Sequence, residues 1–142
     1  MQATLRAPGK RRLLQAAVIM LLAVLAARGS APLAAPPEWR SMPAVLVMVQ
    51  DHGCPYCARW EAEVQRSYEL SEEGKFAPLA KRVRGHPDVS EIRNIVYSPT
   101  FVLLSYGEEV GRILGYQGAE LFWMQLEPLM LKAGFKGARA AR

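Results

Sequence analysis

Gln50-Asp51-His52-Gly53-Cys54-Pro55-Tyr56-Cys57 holds the only two cysteines of the chain. The residues on either side decide how the pair is read. Ala44-Val45-Leu46-Val47-Met48-Val49 is a continuous apolar run rich in β-branched residues. It is too short for a globular helix and reads as a strand buried on both faces. Asp51-His52-Gly53 is a loop. Pro55 suits the first turn of a helix, where its missing N–H costs nothing. Beyond it Cys57, Trp60, Val64 and Tyr68 recur at three- and four-residue spacing. That is one apolar helical stripe, with Arg59, Glu61, Glu63 and Arg66 turned mostly to water.

Spacing of three on a helix puts both sulfurs on one face, within bonding reach. Disulfide exchange needs one thiolate that attacks and a second thiol that resolves the mixed disulfide. Cys54 stands at the helix N-terminus, where free N–H groups and the dipole favour negative charge and lower a thiol pKa. Cys57 lies one turn inside and stays a thiol until needed. The spacing therefore predicts that Cys54 attacks and Cys57 resolves. Such a short loop removes little chain entropy when it closes, so the value of the bond is chemical rather than mechanical. His52 reads two ways, as a cation that lowers the Cys54 pKa further or as a solvated loop residue. Glu61, four residues after Cys57, is read as solvated, with proton transfer as the other use. His86 is read as loop. The competing reading of the pair is a zinc or copper site, for which only His52 and His86 are available beyond carboxylates.

Outward from the motif, Trp39 is a packing residue before the first strand. Ser71-Glu72-Glu73-Gly74 is a turn or short helical start, and Lys81 to Arg84 a second short strand with alternating faces. Ser90 is expected to cap a short helix through Val96. Pro99-Thr100-Phe101-Val102-Leu103-Leu104 is another buried strand, entered through proline as strands allow. Tyr106 to Glu109 turn the chain, and Val110 to Tyr116 return antiparallel. Gly118-Ala119-Glu120 opens a last helix, whose face is assigned to Leu121, Met124, Gln125 and Leu129, with Phe122, Trp123 and Leu126 adding bulk. An initial βαβ unit followed by a hairpin and a helix predicts an α/β domain: a mixed central sheet of about four strands flanked by helices.

The ends carry the charge. The formal net charge is +5, from 18 basic and 13 acidic residues. Arg6, Lys10, Arg11, Arg12 and Arg28 all precede the first acid, Glu38. The remaining basic and acidic residues balance, which argues against nucleic acid as a partner. A basic start, the apolar run Leu13 to Ala27 and small residues through Pro37 form the pattern of a cleaved export signal. The run, about 15 residues, falls short of the roughly 20 that span a bilayer, which disfavours an uncleaved anchor. The expected organisation is a signal peptide over 1–35, cleaved between about 27 and 35. A single domain follows over 36–132, then a flexible basic tail over 133–142.

Cys54-Pro55-Tyr56-Cys57 after a buried strand, with Ser98-Pro99-Thr100 opening another about forty residues on, resembles the thioredoxin family from roughly Trp39 to Leu131. The resemblance implies that Pro99 is a cis-proline lying against the dithiol. It implies that Ser98, Pro99, Tyr56 and Pro55 line the substrate groove, with the Ser98 backbone pairing with a bound segment. Three departures stand out, the first being Gly53 where cytosolic members have Trp before the first cysteine. The acid that cytosolic members bury six residues before the first cysteine is replaced by Met48. The glutathione-binding segment of glutaredoxins is absent at Ser105-Tyr106-Gly107-Glu108. Gly74-Lys75-Phe76-Ala77-Pro78-Leu79 and Gly111-Arg112-Ile113-Leu114-Gly115-Tyr116 narrow the similarity to the periplasmic thioredoxins of bacterial thiosulfate-oxidation operons. That likeness implies a monomeric periplasmic reductant with no cofactor beyond the redox-active Cys54–Cys57 disulfide. It implies a protein disulfide as substrate, such as a sulfur-carrier protein; a membrane dithiol is the expected electron donor for this compartment, because a periplasmic protein has no direct access to cytosolic reductant. The alternatives are a disulfide oxidase, a cytochrome-maturation reductant, a metal-binding module, and an interaction domain built on Phe122 and Trp123.

Overall fold

The apolar run before the cysteines forms β1 (Val45–Gln50), an inner strand of a four-stranded sheet. The computed structural model describes residues 35–137 and, before them, Gln15 alone. Apart from Gln15 and Ala35, the expected export signal lies outside the described residues, as does the end of the basic tail, 138–142. β2 (Leu79–Val83) pairs parallel to β1, β3 (Thr100–Ser105) pairs antiparallel to its other side, and β4 (Glu108–Leu114) pairs antiparallel to β3. The strand order is β2-β1-β3-β4, a mixed sheet. β1 and β3 are inner strands and need apolar residues on both faces, which is why each reads as an unbroken run.

Alternation along those strands divides the core. Leu46, Met48, Phe101 and Leu103 face Trp60, Tyr68, Phe122, Leu126 and Met130 from the helices. Val45, Val47, Val49, Val102 and Leu104 face Trp39 and Val89, with Met42, Ile92 and Ile95 packed beside them. This second face is covered by two 3₁₀ turns, Glu38–Ser41 and Pro87–Val89, and by the connection to β3. Tyr106 and Gly107 both take positive φ, 49° and 83°. That geometry gives a two-residue hairpin turn whose twist suits the flanking strands. In β4 the register shifts opposite Leu103 and Leu104, leaving Val110 as the extra residue of a bulge.

The motif helix begins as α1 (Pro55–Trp60), widens into a π turn at Glu61–Gln65 and continues as α2 (Arg66–Leu70). Trp60, Val64 and Tyr68 are spaced by four rather than 3.6. The wider turn restores their common face, and all three are at most 1% exposed. Ser71 then caps α3 (Glu72–Phe76) by accepting from the Gly74 N–H at 3.0 Å. Gly74 lies hard against the Tyr68 carbonyl, leaving no room for a Cβ. The last helix is α4 (Ala119–Lys132). Among the described residues no helix is long and apolar enough to cross a membrane.

Three local expectations are corrected. The second strand starts at Leu79 rather than Lys81 and its residues do not alternate; all five are partly exposed, as befits an edge strand. No helix forms from Ser90 to Val96; the helical turn is Pro87–Val89, capped by the His86 side chain. The carbonyls beyond it are taken by guanidinium groups instead of by helix N–H groups. Arg112 donates to the Arg93 and Asn94 oxygens, and Arg84 to that of Ile95. The buried face of α4 is Phe122, Leu126 and Met130, while Met124 is 63% exposed. The largest side chains set the rotation of α4, and Leu121 and Leu129 sit at its margins.

Candidate active site

β1 ends where the sheet gives way to the loop Asp51-His52-Gly53, and Gly53 takes φ 68° to turn the chain into α1. That position is open to glycine without strain. Cys54 is the N-cap of α1. Its Sγ accepts a hydrogen bond from the Cys57 backbone N–H at 3.2 Å, one of the orphan donors of the helix end. The two sulfurs form a disulfide, with Cα atoms 5.3 Å apart. Cys54 is half-buried, whereas Cys57 is 3% exposed and packs into the core beside Trp60.

Forty residues on, the Ser98–Pro99 bond is cis, and Pro99 is buried. The Ser98 hydroxyl accepts from the Asp51 N–H at 2.8 Å and lies 3.4 Å from Cys57 Sγ. Its own proton is thereby free for the sulfur, which places a donor beside the resolving position. Pro55 and Tyr56 are exposed, Tyr56 at 56%. Tyr56, Tyr97, Ser98, Leu114 and Tyr116 line one depression of about 510 Å³ beside the pair. Cys54, Cys57, Asp51, His52 and Glu61 line a second, of about 340 Å³, on its other flank. Six of the seven expected site residues thus line one depression or the other, and the seventh, Pro99, is buried next to Ser98. His86 stands apart, capping its 3₁₀ turn through the Asp88 N–H. Among the described residues no group of three or more metal-ligating side chains converges.

Three ion pairs support the site, and two of them, Arg84–Asp51 and Lys81–Glu61, were not visible in the linear sequence. Arg84 grips Asp51 with two bonds, Nε to Oδ1 at 2.7 Å and Nη2 to Oδ2 at 3.0 Å. This fork holds the Asp51 carboxyl below its ordinary range and pins the loop before Cys54. Lys81 of β2 bonds Glu61 Oε1 at 2.8 Å. Arg59 bonds Glu63 at 2.8 Å, and Tyr116 donates its hydroxyl to the other Glu63 oxygen at 2.6 Å. The Arg84 and Lys81 pairings and the Tyr116 bond depend on sheet register and helix rotation, which only the folded chain supplies, whereas Arg59 and Glu63 are i,i+4 neighbours on one helix.

The last of these gives a titration test. Burial, then the bond to Glu63, pushes the Tyr116 phenol from 10.0 up to about 12. The folded state favours the neutral phenol, so this contribution to stability is complete below pH 10 and is lost as pH rises toward about 12. Alkaline absorbance titration should show a late phenol that disappears in Tyr116→Phe; a Tyr116 that titrates like an exposed phenol would contradict the buried contact.

The sequence matches the thioredoxin-like domain family over residues 40–129. Solved structures of similar fold include the periplasmic thioredoxin SoxS from Paracoccus pantotrophus in its reduced form. It is 38% identical, with 63% of this chain and 98% of that one covered and a TM-score of 0.59. A mutant thioredoxin from Halobacterium salinarum is 22% identical, with 65% and 80% covered and a TM-score of 0.50. No curated protein matches the sequence.

Proposed function

The chain belongs to the thioredoxin-like domain family and is a thiol:disulfide oxidoreductase, and from that premise we propose that it works in the reducing direction on a protein disulfide outside the cytosol. The observation that carries this reading is the placement of Cys54 and Cys57 at the N-terminal turn of α1, beside Ser98–Pro99. Cys54 is the attacking sulfur and Cys57 the resolving one. A half-buried sulfur at a helix end can meet a partner; a core sulfur cannot. The depression between Tyr56, Ser98 and Tyr116 receives the partner's segment, with Ser98 at its rim.

The reducing direction draws on two supports. Strong oxidants of this chemistry owe their potential to an over-stabilised thiolate. Lys81 and Arg84 are engaged by Glu61 and Asp51, which line the groove with Cys54, leaving the helix end to favour negative charge at its sulfur. The likeness to a periplasmic thioredoxin supports the compartment, together with the export pattern over 1–35. The substrate is proposed to be a cysteine of a sulfur-carrier protein, and the electron donor a membrane dithiol. The Cys54–Cys57 disulfide then serves as the sole redox centre.

The test is equilibration of the purified domain against glutathione buffers, followed by mass spectrometry. A two-proton mass change should titrate near the roughly −270 mV typical of reductants. A midpoint near about −120 mV would assign an oxidase instead. Bound metal that resists chelation would favour the metal-binding alternative.

A further inference from the structure

The resolving thiol has a chemical difficulty. Cys57 is 3% exposed, and a thiol must lose its proton before it can attack. Beneath it the sheet offers only apolar residues, Met48 and Phe101 among them, both fully buried. The Ser98 hydroxyl can donate to sulfur but is no base at neutral pH. Bulk solvent reaches Cys57 through the 340 Å³ groove on the flank away from the aromatic depression. That groove is lined by two carboxylates, Asp51 and Glu61.

They are not equivalent. Both oxygens of Asp51 are held by Arg84, which lowers its proton affinity. Glu61 stands one helical turn after Cys57, so the two side chains project from the same face. Lys81 and, through it, Gln65 fix the Glu61 carboxylate from β2, with Lys81 Nζ on Oε1. Among the described residues no protein donor occupies Oε2. The groove is wide enough for water, which needs about 30 Å³ per molecule. In the register of the sheet Lys81 lies opposite Met48, so the charge pair caps the apolar patch from its open side.

We propose that Glu61 is the base that takes the Cys57 proton during resolution, with Lys81 as the positioning residue that holds its carboxylate at the groove. The inference rests on the resolving role assigned to Cys57 above. In the mixed disulfide Cys54 is bonded to the partner's sulfur. The Cys57 proton passes through groove water to Glu61. The Cys57 sulfur attacks Cys54 Sγ, the Cys54–partner bond breaks, and its electron pair leaves on the partner's sulfur, which is protonated from solvent. The domain's dithiol is oxidised by two electrons and the partner's disulfide is reduced. The charged groups facing Glu61 are Lys81 from β2 and, across the groove, His52 and Asp51, the latter neutralised by Arg84.

An aryl disulfide that releases a coloured thiolate separates the two steps in one mixing experiment. The first equivalent reports attack by Cys54 and the second reports resolution by Cys57. In Glu61→Gln, which retains an acceptor for Lys81, the second phase should slow about 100-fold at neutral pH. The deficit should shrink as pH rises and hydroxide replaces the missing base. Lys81→Met should slow the second phase more than the first, because Glu61 keeps its carboxylate but loses the side chain that anchors it. A second phase unchanged in Glu61→Gln overturns the proposal. So does slowing by the same factor at every pH, which would mark a structural effect. Cys57→Ser separates this failure from that of the underlying reading: if it still shows a second phase, Cys57 is not the resolving thiol.

Discussion

With Cys57 replaced by serine, the protein should accumulate as a covalent adduct with its partner, and with Cys54 replaced it should form none and turn over at least about 10³-fold more slowly. The asymmetry follows from the environments of the two sulfurs. Cys54 caps α1, receives the Cys57 N–H and is partly open to solvent. Cys57 is enclosed by the core and by Ser98. Serine in place of Cys57 leaves the first attack possible, but its hydroxyl does not ionise near neutral pH and the mixed disulfide persists. Non-reducing electrophoresis and mass spectrometry of adducts isolated from the native host would read the result and identify the partner. Adducts from the Cys54 variant but not the Cys57 variant would reverse the roles.

The largest expected loss of stability is at Trp60. This residue is fully buried and stands at the centre of an aromatic cluster, with ring centroids 4.9 Å from Phe101, 5.5 Å from Phe122 and 6.5 Å from Tyr68. It joins the motif helix, the inner strand β3 and α4 in one contact. Trp60→Ala should cost about 3–5 kcal/mol, from lost transfer energy and from a cavity the sheet cannot collapse into. Trp60→Phe should lose less than half of that, since part of the cluster survives. It also removes the indole N–H, which is buried without a protein partner among the described residues. Urea unfolding of the three proteins would decide the matter. A loss under about 1.5 kcal/mol for alanine would mean that the cluster is peripheral to the fold.

The inner strands, the motif helix and the hairpin were legible because their signals are local. A continuous apolar run, a proline one residue inside a helix and a Tyr-Gly turn each state their conformation within a few positions. The segment from Ser90 to Val96 was not legible, because what replaces helix there is a set of guanidinium bonds from Arg84 and Arg112, residues distant in sequence. The rotation of α4 was not legible for a related reason. Leu121, Met124 and Leu129 compete with Phe122, Leu126 and Met130 for the same face, and the sheet selects the set that reaches Trp60 and Phe101. At the site, the cysteines, Ser98 and Pro99 could be named from their spacing and from family likeness. The clamp of Arg84 on Asp51 and the pairing of Lys81 with Glu61 could not, because neither has a sequence signature without the register of β1 against β2.

The bulge in β4 and the charged residues of β2 bear on how the molecule behaves in a crowd. Both are edge strands, and an edge is a template for pairing with another chain. Val110 breaks the repeat of β4, and Glu108, Glu109 and Arg112 line it with charge. On β2, Lys81 and Arg82 are held by Glu61 and Asp88, so an approaching strand would have to displace ion pairs to dock. An approaching strand therefore meets charge or a broken repeat at either edge of the sheet, which discourages self-association through it.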